Sequence, residues 1–262
     1  MPLDLRLDSR VALITGGSQG IGKAVAGLFL EAGATVVING RDPEKLRRAA
    51  DELGQSQDAL SRIVPISADV RSAEQVENMI QEIRAKCGRL DILVNNVGVN
   101  NPTMFDEVST ENWNAEIDLN LNSVFQCCSK ALPLLRVQGG SVVNMASIGA
   151  FYAHPGRAGY AAAKAGVVSL TKTLAYEWAP LDIRVNCIAP GAIVTEGSRF
   201  SKEAVRSAVE RHVPIGRLGT PREIAACTLF LVSSEASYIT GSVIVIDGGP
   251  HKAVLGNLDE LL

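Results

Sequence analysis

The sequence predicts an α/β fold: a doubly wound parallel sheet between two helical layers, three layers in all (α/β/α). Three observations predict it. Short apolar runs alternate with longer helical stretches from end to end, the rhythm of βαβ units. The runs are mostly continuous rather than alternating in polarity, as expected of strands covered on both faces. The 262 residues, 47% hydrophobic and 20% charged, are enough to bury a central sheet under two layers of helices in one domain.

The elements follow in order. Residues 11–15 form the first strand and 20–30 the first helix. Residues 35–38 form the second strand. Asp42 and Pro43 then supply an N-cap and a first helical residue, opening a helix that continues to about Leu53. A third strand at 62–66 precedes a polar-faced helix at 72–87. A fourth at 90–94 precedes a loop and one long helix carried through 113–135. The second half repeats the rhythm: strand 141–145, an Ala-rich helix at 156–179, strand 183–188, helix 221–232 and strand 243–246. No linker, low-complexity tract or short-period repeat divides the chain. Residues 1–262 are therefore read as one catalytic, dinucleotide-binding domain, with a lid over the substrate at about 192–212 and a short extension at 250–262.

Composition excludes several classes. A net charge of −3 provides no basic field for nucleic acid. Five cysteines without a CxxC pair, and only three histidines, argue against a disulfide framework and against a structural zinc site. Adjacent Cys127 and Cys128 read as small buried apolar groups. The first ten residues lack a signal-peptide core, and no run approaches the roughly 18 apolar residues of a membrane span. The expectation is a cytoplasmic protein with no metal and no nucleic-acid or membrane partner.

The first βα turn reads Thr15-Gly16-Gly17-Ser18-Gln19-Gly20-Ile21-Gly22. Glycines there permit a tight turn and close approach of backbone to a pyrophosphate. The helix that follows offers unpaired N–H groups and a positive dipole end. Gly16, Ser18, Gln19, Gly20, Ile21 and Gly22 are the candidate phosphate contacts. Their spacing is TGxxxGxG rather than GxGxxG, and with it the sequence resembles the short-chain dehydrogenase/reductase (SDR) family. The resemblance runs through nearly the whole chain and implies a Rossmann-like oxidoreductase using a nicotinamide dinucleotide.

In dinucleotide folds an acidic residue at the end of the second strand binds the adenosine ribose. Here the strand ends Asn39-Gly40-Arg41. Gly40 stands where an NAD-specific member places Asp, and the Arg41 guanidinium can grip a 2′-phosphate. NADP(H) is therefore expected in preference to NAD(H), the plain alternative being that Arg41 is a solvated loop residue. By resemblance, Asp69-Val70 meets the adenine. Asn95-Asn96-Val97-Gly98 corresponds to the family's NNAG, with Val97 in place of Ala and with Asn96 and Gly98 as cofactor contacts. Pro190, Gly191 and Ile193 approach the nicotinamide, and Thr195 its carboxamide or the diphosphate. Asp247-Gly248-Gly249 completes the resemblance.

Tyr160 and Lys164 are four residues apart in a helix and so share a face. A phenol of pKa near 10 is a poor acid–base group at neutral pH. A nearby ammonium and a cationic oxidised nicotinamide favour the phenolate. Lowering the pKa by ~3 units needs roughly 4 kcal/mol. By resemblance, Ser147 is the catalytic serine, Lys164 and Tyr160 also touch the cofactor, and Asn120, rather than the nearby Asn122, holds a water that passes protons to Lys164. Ala146 stands where the family often has another serine. The implied reaction is hydride transfer between nicotinamide C4 and a ketone or secondary alcohol, a small molecule.

Two other readings stay open. Residues 177–180 and 190–197 resemble enoyl- or dienoyl-CoA reductases acting on C=C bonds. A catalytically silent NADP(H)-binding sensor is the second. Residues 99–103, 148–154 and the lid are the pocket candidates, with His154 read as a solvated loop residue ahead of a substrate contact. The resemblance also implies a homotetramer, or a homodimer, built on the two long helices.

Overall fold

The protein is described by a computed structural model covering residues 3–54, 56–196, 198, 200 and 202–249. The expected extension at 250–262, and positions 197, 199 and 201 of the expected lid, lie outside the described residues. Seven strands form one sheet: β1 (Val11–Thr15), β2 (Thr35–Gly40), β3 (Ile63–Ser67), β4 (Ile92–Asn95), β5 (Gly140–Met145), β6 (Ile183–Pro190) and β7 (Val243–Ile246). Every pairing is parallel, and the order is β3-β2-β1-β4-β5-β6-β7. The chain winds outward from β1 to β3, then crosses back to β4 and winds the other way. That reversal opens a crevice at the carboxyl ends of β1 and β4, where an open α/β sheet binds its ligand.

The helices are α1 (Gly20–Glu31), α2 (Pro43–Leu53), α3 (Gln57–Ser61), α4 (Ala73–Cys87), α5 (Thr110–Ile117), α6 (Ser123–Leu135), α7 (Ala158–Trp178), α8 (Glu203–Glu210) and α9 (Pro221–Val232). Alternate residues of each strand serve opposite cores, which is why the strands read as unbroken apolar runs. In β1, Leu13 joins Met79, Ile83, Val124 and Trp178 on one face. Ala12 and Ile14 join Phe29, Leu46 and Ile224 on the other. Among the described residues no helix is long and apolar enough to cross a membrane, and no group of three His, Cys, Asp or Glu side chains could hold a metal ion.

Local chemistry fixes most boundaries. Asp42 accepts from the Glu44 and Lys45 N–H groups with Pro43 next in line, as the sequence predicts. Ser72 and Thr220 cap α4 and α9 in the same way. Three expectations need correction. The short α3 helix was not expected. The helix expected through 113–135 begins at Thr110, behind a Ser109 cap. That helix is also not continuous: residues Asp118–Asn122 form a π-helical turn between α5 and α6. A π turn is a change of backbone hydrogen-bond partner that no residue type in 118–122 announces, so the sequence pattern does not reveal it.

Candidate active site

The glycine turn lies where the sheet's winding reverses. Gly16 and Gly20 have φ of +64° and +56°, left-handed values that favour glycine. Gly22 is required for a different reason, since a Cβ there would fall 2.3 Å from the Gly16 carbonyl oxygen. The turn is braced from β4. The Asn96 side-chain amide donates to the Thr15 carbonyl at 3.0 Å and to the Gly16 carbonyl at 3.3 Å. The α1 N-terminus has no side-chain cap, unlike α2, α4 and α9, so its first N–H groups stay open toward the crevice. Thr195 stands over the turn, its Cγ2 3.3 Å from where a Gly20 Cβ would be. Open donors, glycine backbone and a hydroxyl overhead fit a diphosphate.

At the end expected to take the adenosine, Arg41 is exposed at the tip of β2 and has no ion pair among the described residues. Ser18 Oγ lies 3.5 Å from the position of a Gly40 Cβ, so both flank the same patch. Asp69 is held by Arg71 at 2.6 Å, which keeps its carboxyl below the usual range, and Val70 is buried.

The catalytic candidates converge from three elements. β5 ends at Met145, whose carbonyl accepts from Lys164 Nζ at 2.7 Å. Two residues on, Ser147 Oγ accepts the Gly149 N–H at 3.1 Å. α7 carries Tyr160 and Lys164 on one face, with Nζ 5.8 Å from the phenol ring centroid. The π turn supplies Asn120, fully buried. Its Nδ2 donates to the Val99 carbonyl at 2.9 Å and the Glu116 carbonyl at 3.0 Å, and its Oδ1 accepts the Val99 N–H at 3.1 Å. Two glycines mark the meeting points. A Cβ on Gly98 would lie 3.0 Å from both Asn120 Oδ1 and Lys164 Nζ. A Cβ on Gly149 would lie within 3.7 Å of Ser147, Tyr160 and His154 atoms. Asn122 is exposed and donates to Asp118 at 2.6 Å, away from this group.

The electrostatics differ from the expectation in one respect. Lys164 is buried, and burial pushes its pKa down to about 8. Tyr160 is pushed up, first by burial; Ser147 and Arg157 pull it back, and Glu116 raises it further. The protein's own groups therefore hold Tyr160 as a phenol, a form that can donate a proton. The expected lowering by Lys164 is not among the influences on the phenol, and desolvation disfavours the charged form of both groups.

Ser147, Tyr160 and Lys164 open on a cavity of about 480 Å³ that continues from the glycine turn to Phe200, Val209 and His212. Pro190, Gly191, Ile193 and Thr195 line it. α8 forms part of its outer wall, where the lid was expected. His154 lines it too and is only partly exposed, so the solvated-loop reading of this residue is corrected. Sequence reasoning missed Glu116 and the Met145 carbonyl. The first looks like any charged helix residue, and a backbone acceptor has no residue-type signal.

The chain is similar to known proteins over nearly its whole length. A family model described as "Enoyl-(Acyl carrier protein) reductase" matches residues 16–251. The 3-oxoacyl-(acyl-carrier-protein) reductase of Thermotoga maritima is 40% identical over 247 residues, spanning 94% of this chain and 99% of that protein. The enzyme of the same name from Chlamydia muridarum is 40% identical over 244 residues, 93% of this chain and 98% of that protein. The crystal structure of a provisionally assigned short-chain alcohol dehydrogenase from Sinorhizobium meliloti 1021 superposes with a TM-score of 0.88 at 34% identity, covering 94% of this chain and 98% of that one. Sheet order, glycine turn and family match together place this chain in the short-chain dehydrogenase/reductase family, nicotinamide-dependent oxidoreductases acting on C=O and CH–OH groups.

Proposed function

We propose that the chain is an NADP(H)-dependent ketoreductase with Tyr160 as its acid–base group and Ser147, Lys164 and Asn120 as its partners. The observation that carries this reading is the convergence of Ser147, Tyr160 and Lys164 on one cavity that begins at the glycine turn, with Asn120 meeting Lys164 behind its wall at Gly98. The names of its relatives make 3-oxoacyl thioesters the first ketones to test.

NADPH, when bound, supplies the hydride from C4 of its nicotinamide. The chain does the rest. The open N–H groups of α1, the turn residues 16–22 and Thr195 hold the diphosphate. Arg41 takes the 2′-phosphate, and Asp69 and Val70 the adenine side. Asn96 and Gly98 shape the crevice floor. Pro190, Gly191 and Ile193 wall the nicotinamide end. Ser147 donates to the substrate carbonyl and holds it against Tyr160. Tyr160 gives its proton to the oxygen as negative charge develops there. Lys164, fixed by the Met145 carbonyl, binds ribose hydroxyls and favours the phenolate that remains. Asn120 spends its side chain on Val99 and Glu116, so its part in resupplying protons falls to the backbone of the π turn.

Two variants test cofactor binding. Arg41→Ala should raise Kd for NADPH by at least about tenfold, the loss of one charge-assisted grip. NADH should bind the variant and the wild type alike. An unchanged NADPH/NADH affinity ratio would remove the NADP(H) assignment. Gly22→Ala drives a methyl into the Gly16 carbonyl and should weaken both dinucleotides by about tenfold or more, as read by fluorescence titration.

Reduction of a C=C bond is the second reading, favoured by the wording of the family description. Ser147 beside a protonated Tyr160 supports carbonyl chemistry instead. Assembly follows from the same family reading: Phe125 on α6 and Tyr176 on α7 are exposed and available for a second copy to cover, as a homotetramer would.

A further inference from the structure

Glu116 sits on α5 one helical turn before Asn120. Its side chain and backbone together join three pieces of the site. Oε1 accepts the Asn101 N–H at 3.3 Å, fastening the loop that follows β4. Its backbone carbonyl accepts from the Asn120 amide. Oε2 lies against α7 at Gly159, the residue just before Tyr160, where a Cβ would come within 2.6 Å of it. Glycine at 159 is thus the condition for a carboxylate to pack on the turn that presents the phenol. A separate cavity of about 220 Å³ opens beside this contact, lined by Glu116 and Asn120 together with Arg71 and Thr103.

We propose that Glu116 is a positioning residue for the carbonyl chemistry: it braces the 99–101 loop on the first turn of α7 and sets a carboxylate against the turn that presents Tyr160. The proposal rests on the reading of Tyr160 as the acid–base group.

The charged and titratable groups around the phenol are few. Glu116 faces it from α5. Arg157 and Lys164 lie at the start and on the second turn of α7. His154 and His212 stand in the cavity wall. Arg71, beside Glu116 in the smaller cavity, is paired with Asp69 and feels Asp118. Glu116 is the carboxylate acting on the phenol, and a negative charge there disfavours the phenolate. It opposes Arg157, and both act on a phenol that burial raises first and Ser147 pulls back.

Glu116→Gln tests this, because the amide oxygen can still accept the Asn101 N–H while the charge is gone. The measurement is the pH profile of kcat/KM for alcohol oxidation with NADP⁺, the direction that needs the phenolate. Removing the charge should move the rising limb to lower pH, so that below the wild-type midpoint the variant is faster by about threefold, equal to half a pH unit. KM for the alcohol should stay within about twofold. Superimposable profiles would overturn the proposal. A second measurement does not need turnover: ultraviolet titration of the phenolate in the NADP⁺ complex, each form read against its own Tyr160→Phe counterpart. A lower midpoint in Glu116→Gln supports the proposal and an identical midpoint overturns it. If no carbonyl is turned over at all, the acid–base reading of Tyr160 fails, and the titration still decides whether Glu116 acts on the phenol. Thermal melting of both proteins, expected to agree closely, separates this effect from misfolding.

Discussion

Tyr160→Phe is expected to lower kcat for carbonyl reduction by about 10²–10⁴-fold, the usual contribution of a positioned proton donor. NADPH affinity should stay within about threefold, because the ring remains and only the hydroxyl goes. The size of the effect follows from the site. The phenol is pushed up by burial, so it enters the reaction protonated. Ser147 stands close enough to fix the hydroxyl's direction, and Lys164 lies 5.8 Å from the ring. Ser147, whose hydroxyl still has its own proton to donate while it accepts from Gly149, is the weaker acid and orients the carbonyl rather than protonating it. The check is single-turnover NADPH oxidation. A variant that retains wild-type kcat would place the proton donor elsewhere.

Lys164→Met has a two-sided expected result. Activity should fall by about 10²–10³-fold, the cost of removing one preorganised charge from a reacting site. Stability should not fall with it. Lys164 is buried, with its pKa depressed from the ordinary 10.5 to about 8. Between those values the unfolded chain binds more protons than the folded one, so wild-type stability rises with pH across that window. Below about pH 8 the folded state carries the whole cost of a buried ammonium. Methionine removes that cost and leaves the Met145 carbonyl without its donor, a smaller loss. Relative to the wild type, the variant should therefore melt highest near neutral pH, and its advantage should shrink as pH rises from 8 to 10.5. A pH-independent difference in Tm would contradict the burial argument.

Most of the fold was legible because strands and caps obey local rules. Continuous apolar runs gave the seven strands, and β7 and α9 fall at the expected residues. Asp42-Pro43 marked its helix by a cap that the structure retains. The glycine turn was legible because only glycine fits at positions 16, 20 and 22. The π turn at 118–122 was not legible, because it is a change of backbone hydrogen-bond partner that no residue type marks. Glu116 was not legible because its significance depends on a glycine 43 positions later, on another helix. The upward shift of Tyr160 was missed for a related reason: spacing shows that Lys164 shares its face but says nothing of how deeply both are buried. His154 reads as a loop histidine until the cavity around it is seen.

One measurement tests the central claim most directly: steady-state turnover of a panel of ketones and alcohols, 3-oxoacyl thioesters and an enoyl thioester included, with NADPH and NADH side by side on the full chain. The predicted result is NADPH-dependent reduction of at least one ketone, slower with NADH, lowered at least about 10²-fold by Tyr160→Phe, with the enoyl thioester untouched. NADPH bound without turnover anywhere in the panel, or reduction of the enoyl thioester alone, would contradict it.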